Sequence, residues 1–190
     1  MNTETLNAAA ASNAGITSNG VHNEGANASG NYHVQCFDID GNLKWEDTIK
    51  NLVTTVGKNF ALDTLMAGSA YTATWYLGLI SSVSYTAVAA GDTMASHAGW
   101  TEAGAANAPT YSQGARPTAA WSAASAGSKA LSAALSFSIT SAGTVKGCFL
   151  NSVSTKDGTT GTLYSAGLFS GGDKVLSNGD SLAVSYTASM

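Results

Sequence analysis

Few side chains in this sequence are spaced so that they could do chemistry together. The richest run is Asp38-Ile39-Asp40-Gly41-Asn42, which sets oxygen ligands at alternate positions, as a calcium loop does. A complete calcium loop also needs glycine at its sixth position and a bidentate glutamate at its twelfth. Here those positions hold Leu43 and Ile49, so the run reads as a hairpin turn. His22, His33 and His97 are the only histidines. None stands at HExxH or paired Cys/His spacing, and no metal ligand is assigned. Serine is abundant, but a serine nucleophile needs a base held within hydrogen-bond reach. His97 has only Asp92 near it in sequence and reads as a surface or subunit-contact side chain. Val56-Gly57-Lys58-Asn59 lacks both the upstream glycine and the following Ser/Thr of a phosphate-binding loop. Glu46 and Asp47 are neighbours in a strand-like run and so point to opposite faces. The expectation is a protein that is not an enzyme, with no catalytic residue, cofactor or metal.

The aromatic and charged residues carry more information. Trp45 and Trp75 read as core, whereas Trp100 and Trp121 read as anchors of loops or interfaces. An aromatic-lined groove can also bind sugar, so a glycan-binding module using Trp100 and Trp121 is one functional alternative. From Asn59 to Ala115 there is no Lys or Arg, and Asp63, Asp92 and Glu102 supply the carboxylates. A free monomer usually spreads both signs of charge over its surface, and interface cores are depleted in charge. This stretch therefore reads as contact surface. The net charge is −4 and the eight basic residues are scattered, which argues against direct nucleic-acid binding, since that needs clustered cations. No run approaches the roughly 18 apolar residues of a membrane span. The residues after Met1 lack the basic and apolar pattern of a secretory signal. Cys36 and Cys148 have no CxxC spacing and read as buried small hydrophobes, with a disulfide between them left open.

The elements that would position these residues fall into two regions. Residues 1–31 are rich in Asn, Ala, Ser and Gly, with only Leu6, Ile16 and Val21 as larger apolar groups. Such a segment buries too little apolar surface to order itself, and reads either as a disordered tail or as an arm laid along a neighbouring subunit. Residues 32–190 read as a mainly β domain, an antiparallel, jelly-roll-like β-sandwich. His33–Asp38 and Leu43–Ile49 flank an Asp-Gly turn signal. A helix is expected over 55–67, capped by Thr54 or Thr55, stopped by Gly68, and packed on a sheet through Phe60, Leu62, Leu65 and Met66. Thr74–Ser82 reads as a central strand and Gly91–Gly99 as a short helical turn. Leu131, Ala133, Leu135, Phe137 and Ile139 alternate as in a half-buried strand. Further strands are expected at Thr144–Val153, Gly161–Phe169 and Ser181–Ser189. On this pattern the core belongs largely to the C-terminal third.

Taken together, FDIDGNLKWED, NLVTTVGKNFALDTLMAG, WYLGLISS, GDTMASHAGWTE and TLYSAGLFSGGDKVLSNGDSLAVSYT resemble a group of small tailed-bacteriophage virion structural proteins. These are head decoration, cement or minor structural proteins, and the resemblance covers about Tyr32 to Met190. It implies a β-rich homo-oligomer whose partner is the major capsid protein or another virion protein, with no membrane and no direct nucleic-acid contact. It also implies a virion location, after assembly in the host bacterial cytoplasm, and a terminal arm that clamps adjacent capsid subunits. Leu6, Ile16, Val21, Trp100 and Trp121 are the candidate partner contacts. A place at the neck, tail or fibre base is the alternative within the same class.

Overall fold

The computed structural model describes residues 28–66 and 74–190. Two antiparallel sheets face each other with one helix against the second. The first sheet holds β1 (Ser29–Phe37), β2 (Leu43–Lys50), β7 (Ser128–Ala130), β8 (Leu135–Ser138) and β12 (Ser181–Ser189). Its order is β2-β1-β12, with β7 and β8 pairing different halves of the free edge of β12. The second sheet holds β3 (Leu52–Val53), β4 (Trp75–Ser81), β5 (Thr101–Ala103), β6 (Thr118–Ala119), β9 (Gly143–Asn151), β10 (Leu163–Leu168) and β11 (Lys174–Leu176). Its main order is β3-β10-β9-β4-β5. The expected antiparallel sandwich is thus the architecture, with α1 at Thr55–Met66.

Period-two alternation builds the interface between the sheets. Tyr32, Val34 and Cys36 of β1, and Leu182, Val184 and Tyr186 of β12, are buried in one cluster with Trp75, Leu77 and Leu79 of β4 and with Cys148 and Leu150 of β9. The core is therefore shared between N-terminal and C-terminal strands, and does not sit mainly in the last third. Tyr32 and Cys36, early in the chain, belong to it because β1 pairs with the last strand along its whole length.

The second sheet is covered on its other face as well. Ile80, Met94, Trp100, Phe149, Leu163 and Ala166 form a second apolar cluster, built where residues 82–100 fold over the sheet. Burial on both faces explains why Trp75–Ser81 reads as a nearly unbroken apolar run. A bulge lets β9 serve both clusters. Ile80 pairs with Gly147 but Ser81 pairs with Val145, so one extra residue resets the alternation. Val145 and Cys148 then share the inner core despite their odd spacing.

Between β2 and β3 only Asn51 intervenes, so the chain turns from one sheet into the other at a sharp corner. Gly167 of β10 makes that corner possible, because a Cβ there would press on Ile49 Cγ2 and the Asn51 Cα. Asn51 Nδ2 donates to the Tyr186 hydroxyl at 2.8 Å and ties the corner to β12.

A nearby polar lock joins β2 to the turn between β10 and β11. The Asp47 carboxylate accepts from Ser170 Oγ (2.6 Å), the Gly171 N–H (2.9 Å) and Lys174 Nζ (2.8 Å). Partial burial pushes its pKa up, but Lys174, Ser170 and the two backbone N–H donors at Thr48 and Gly171 outweigh that and hold it at about 2, from an ordinary 3.8. A carboxylate with a depressed pKa stabilises the fold above its unfolded value and loses that contribution as pH falls towards its folded value. The window here is about pH 4 down to pH 2, and the contribution is about 2 kcal/mol. Asp47→Asn is expected to lose about that much at pH 7 and to flatten the acid limb of a urea-stability curve across this window.

Several expectations are revised by this structure. The first strand begins at Ser29, three residues ahead of the expected start of the folded part at Tyr32. Gly91–Gly99 forms turns and a two-residue bridge, not helix. The alternating run Leu131–Ile139 forms one strand only at Leu135–Ser138, with isolated bridges at Leu131 and Ile139. The short strands β3, β5, β6, β7 and β11 carry no sequence signal, being two or three residues long.

Candidate interaction surface

The helix is oriented differently from the expected packing. Thr54 caps it, its Oγ1 accepting from the Gly57 N–H at 3.0 Å, while the Thr54 N–H donates to the Tyr164 carbonyl on β10 at 3.0 Å. Gly57 is the buried residue of the helix, and a Cβ there would strike the Tyr164 carbonyl oxygen. The helix backbone thus lies directly on β10 at its first turn. That contact sets the roll of the helix and turns Leu62, Leu65 and Met66 outward, with exposures of 56%, 70% and 79%. Of the four residues expected to pack on the sheet, only Phe60 does so, its ring edge-on to Trp75 at 5.4 Å.

The outward roll leaves an apolar groove of about 390 Å³ between the helix and one end of the sandwich. Phe60, Thr64 and Leu65 form the helical wall, Trp75, Leu150 and Tyr164 the second-sheet wall, and Trp121, Lys129 and Ala188 the side nearest the first sheet. Trp75 and Tyr164 meet at 5.5 Å, and Trp121 packs edge-on against Tyr186 at 5.9 Å. The Tyr164 hydroxyl is pushed to a higher pKa by burial, so it is neutral at physiological pH. Lys129 Nζ donates to the Ser122 carbonyl at 2.9 Å. Trp121 Nε1 and Thr64 Oγ1 are covered and have no hydrogen-bond partner among the described residues.

Around this groove and over residues 74–115 the surface carries almost no free charge. Glu102 is buried against Arg116. Asp92 Oδ2 accepts from Trp100 Nε1 and from the Ala89 N–H, both at 2.9 Å. Cations elsewhere are also engaged within the chain: Lys44 with Asp180, Lys146 with Asp173 and Lys174 with Asp47. Lys156 donates to the carbonyls of Gly104 and Tyr111.

The expected contact residues fare unequally. Trp121 lines the groove. Trp100, expected to anchor a loop or interface, is packed inside the chain: it is 1% exposed, stacked on His97 at 4.0 Å and packed on Phe149 at 5.1 Å. The apolar lining supplied by Met94, Ile80 and Phe149 draws it inward. Trp100 and Trp121 therefore form no joint platform for a sugar. Leu6, Ile16 and Val21 lie outside the described residues, as does Gly68. Sequence reasoning misses Leu62, Leu65 and Met66 as surface groups, because an apolar stripe at helical spacing usually marks a buried face. The glycine at position 57 is the available signal.

A smaller cleft of about 190 Å³ gathers His97, Glu102 and Asp157. Each is already committed: His97 Nδ1 lies 2.9 Å from the Trp100 carbonyl, Glu102 binds Arg116, and Asp157 Oδ2 accepts from the Ala106 N–H. In the Asp38 loop the carboxylate accepts from the N–H groups of Asp40 and Asn42 and from the Asn42 amide. Side-chain and backbone donors of Asn42 lower the Asp38 pKa, and the loop is a hairpin turn. Cys36 and Cys148 are buried free thiols; burial, together with the Asp180 charge, pushes the Cys36 thiol up to about 12. Among the described residues no helix is long and apolar enough to cross a membrane. No family model and no curated protein matches the chain.

Proposed function

We propose that the chain is a structural protein of a tailed-bacteriophage virion, a decoration or cement protein that binds the head lattice. The observation that carries this reading is the surface of residues 59–115: Asp63 is its one carboxylate without a buried or hydrogen-bonded role among the described residues, and the exposed Leu62, Leu65 and Met66 adjoin it. A surface with so little charge and with large apolar side chains turned outward is suited to burial against another protein. The mechanism would be mechanical. Apolar and backbone surface is buried across joints between capsid subunits, and many weak contacts on one particle act together through high local concentration. The N-terminal segment and the helical apolar stripe are the contacts assigned to the lattice.

Quantitative mass spectrometry of purified particles of the phage that encodes the chain tests this. A copy number matching the capsid lattice supports decoration. A number matching a six-fold or twelve-fold ring moves the protein to the neck or tail, and absence from the particle removes the virion reading.

A further inference from the structure

We propose that, in the unassembled protein, the apolar groove between α1 and the sandwich is occupied by the chain's own N-terminal segment, with Val21 and Ile16 as the side chains that enter it. This contact lies within one chain and stands apart from the virion reading.

The position of the segment's end is the first reason. Residues 1–27 lie outside the described residues, and the described chain starts at Ala28, immediately before β1. In the first sheet Gly30 pairs with Ala188, and Ala188 pairs on its other side with Lys129. Ala188 and Lys129 are both groove wall. The segment therefore departs one strand spacing, about 5 Å, from the groove.

Length and composition fit as well. Val21 and Ile16 stand 7 and 12 positions before Ala28 (28 − 21 and 28 − 16). An extended chain covers at most about 3.3–3.6 Å per residue, so both can reach a groove that close. After Met1 they are two of the three larger apolar groups in the segment, with Leu6 the third. The segment's charged side chains are Glu4 and Glu24, with no Lys or Arg, while the charged side chain of the groove is Lys129. The signs are complementary, and Glu24 lies only four positions before Ala28 (28 − 24).

The groove also lacks what the segment has. Trp121 Nε1 and Thr64 Oγ1 are covered yet have no partner among the described residues, and a donor left so is normally satisfied in the folded state. Asn, Ser and Gly around Val21 bring carbonyl acceptors without bulk. Leu65, at 70% exposure, gains a cover. Because the segment is tethered beside its site, occupancy needs only a weak contact.

Photo-crosslinking in the full-length protein tests the proposal. Val21 is replaced by p-benzoylphenylalanine, and the products from a mixture of isotope-labelled and unlabelled chains are mapped by mass spectrometry. The expected result is a cross-link within one chain to α1 or to Trp121, lost in the Leu65→Asp variant, whose exposed position leaves the fold intact. Cross-links between labelled and unlabelled chains would give the groove to a second copy and overturn the proposal. So would cross-links that fall elsewhere, which would leave the groove to residues 67–73 or to another protein. The same measurement with the photoreactive group at Ile16 guards against a local effect of the bulky label.

Discussion

Arg116→Ala will destabilise the folded chain by about 3–5 kcal/mol, the usual cost of leaving one member of a buried ion pair without its partner. In a chain of this size that corresponds to a fall in melting temperature of roughly 10 °C. Arg116 and Glu102 have side-chain exposures of 0% and 2%. The guanidinium grips the carboxylate with two bonds, Nε to Oε1 at 2.8 Å and a terminal nitrogen to Oε2 at 2.7 Å. Its remaining donors reach the carbonyls of Val153 and Gly158, and the Asp157 N–H donates to Glu102 Oε2. The cation also lies over the Phe149 ring, 5.2 Å from its centre.

This pair joins three segments: β5 and the loops at 104–117 and 152–162. Residues 104–117 and 152–162 are rich in Ala, Gly, Ser and Thr, so apart from the buried Tyr111 they offer few large apolar side chains and rely on hydrogen bonds for much of their order. Glu102 stands on β5, and Arg116 and the 152–162 loop close around it. Two outcomes separate the pair's geometry from its charge. Glu102→Gln should cost nearly as much as Arg116→Ala, because it strands the cation. The double variant Glu102→Leu with Arg116→Met should recover much of the loss, since apolar groups of similar volume often replace a buried pair at little cost. Urea denaturation of the four proteins checks this, and a loss below about 1 kcal/mol for Arg116→Ala would mean that water reaches the site and screens the charge left behind.

The same residues show what the sequence could and could not disclose. The hairpin at Asp38–Asn42, the central strand at Trp75–Ser81 and the strands β9, β10 and β12 are legible, because alternation and turn residues are local signals. The low-charge stretch is legible too, but its meaning is divided. In sequence Glu102 and Asp92 look like sparse surface charges, whereas one is buried and the other holds the Trp100 indole. Pairing of Glu102 with Arg116 depends on a loop closing over an edge strand, which no periodicity encodes. Trp100 reads as a contact for a similar reason: its burial arises from residues 82–100 folding back over the second sheet. In the helix, the apolar spacing is visible and its direction is not, because one glycine fixes the roll.

That glycine supports the second large effect. An alanine in place of glycine inside a helix normally stabilises by about 1 kcal/mol, so propensity alone makes Gly57→Ala a favourable change. The structure reverses the sign. The added Cβ meets the Tyr164 carbonyl oxygen and its neighbouring backbone atoms. Tyr164 is the bulged position of β10, but Leu163 and Ser165 on either side of it are paired, so this backbone cannot give as a side-chain end would. The helix must lift, straining the bond from the Thr54 N–H to the Tyr164 carbonyl and the bond that the Thr54 hydroxyl donates to the Leu163 carbonyl. Overpacking costs about 1–3 kcal/mol, and a clash with backbone atoms falls at the top of that range. After the propensity gain of about 1 kcal/mol is subtracted, the protein is expected to be about 2 kcal/mol less stable. Lys58→Ala, one position along and exposed, should change stability by less than about 0.5 kcal/mol and serves as the control. Because Phe60 meets Trp75 only while the first turn sits on β10, lifting the helix also widens the groove. Gly57→Ala should therefore lower the yield of the Val21 cross-link as well as the stability. A variant that proves more stable than the parent would show that the helix is free to slide on β10, and that the groove owes its shape to something other than this contact.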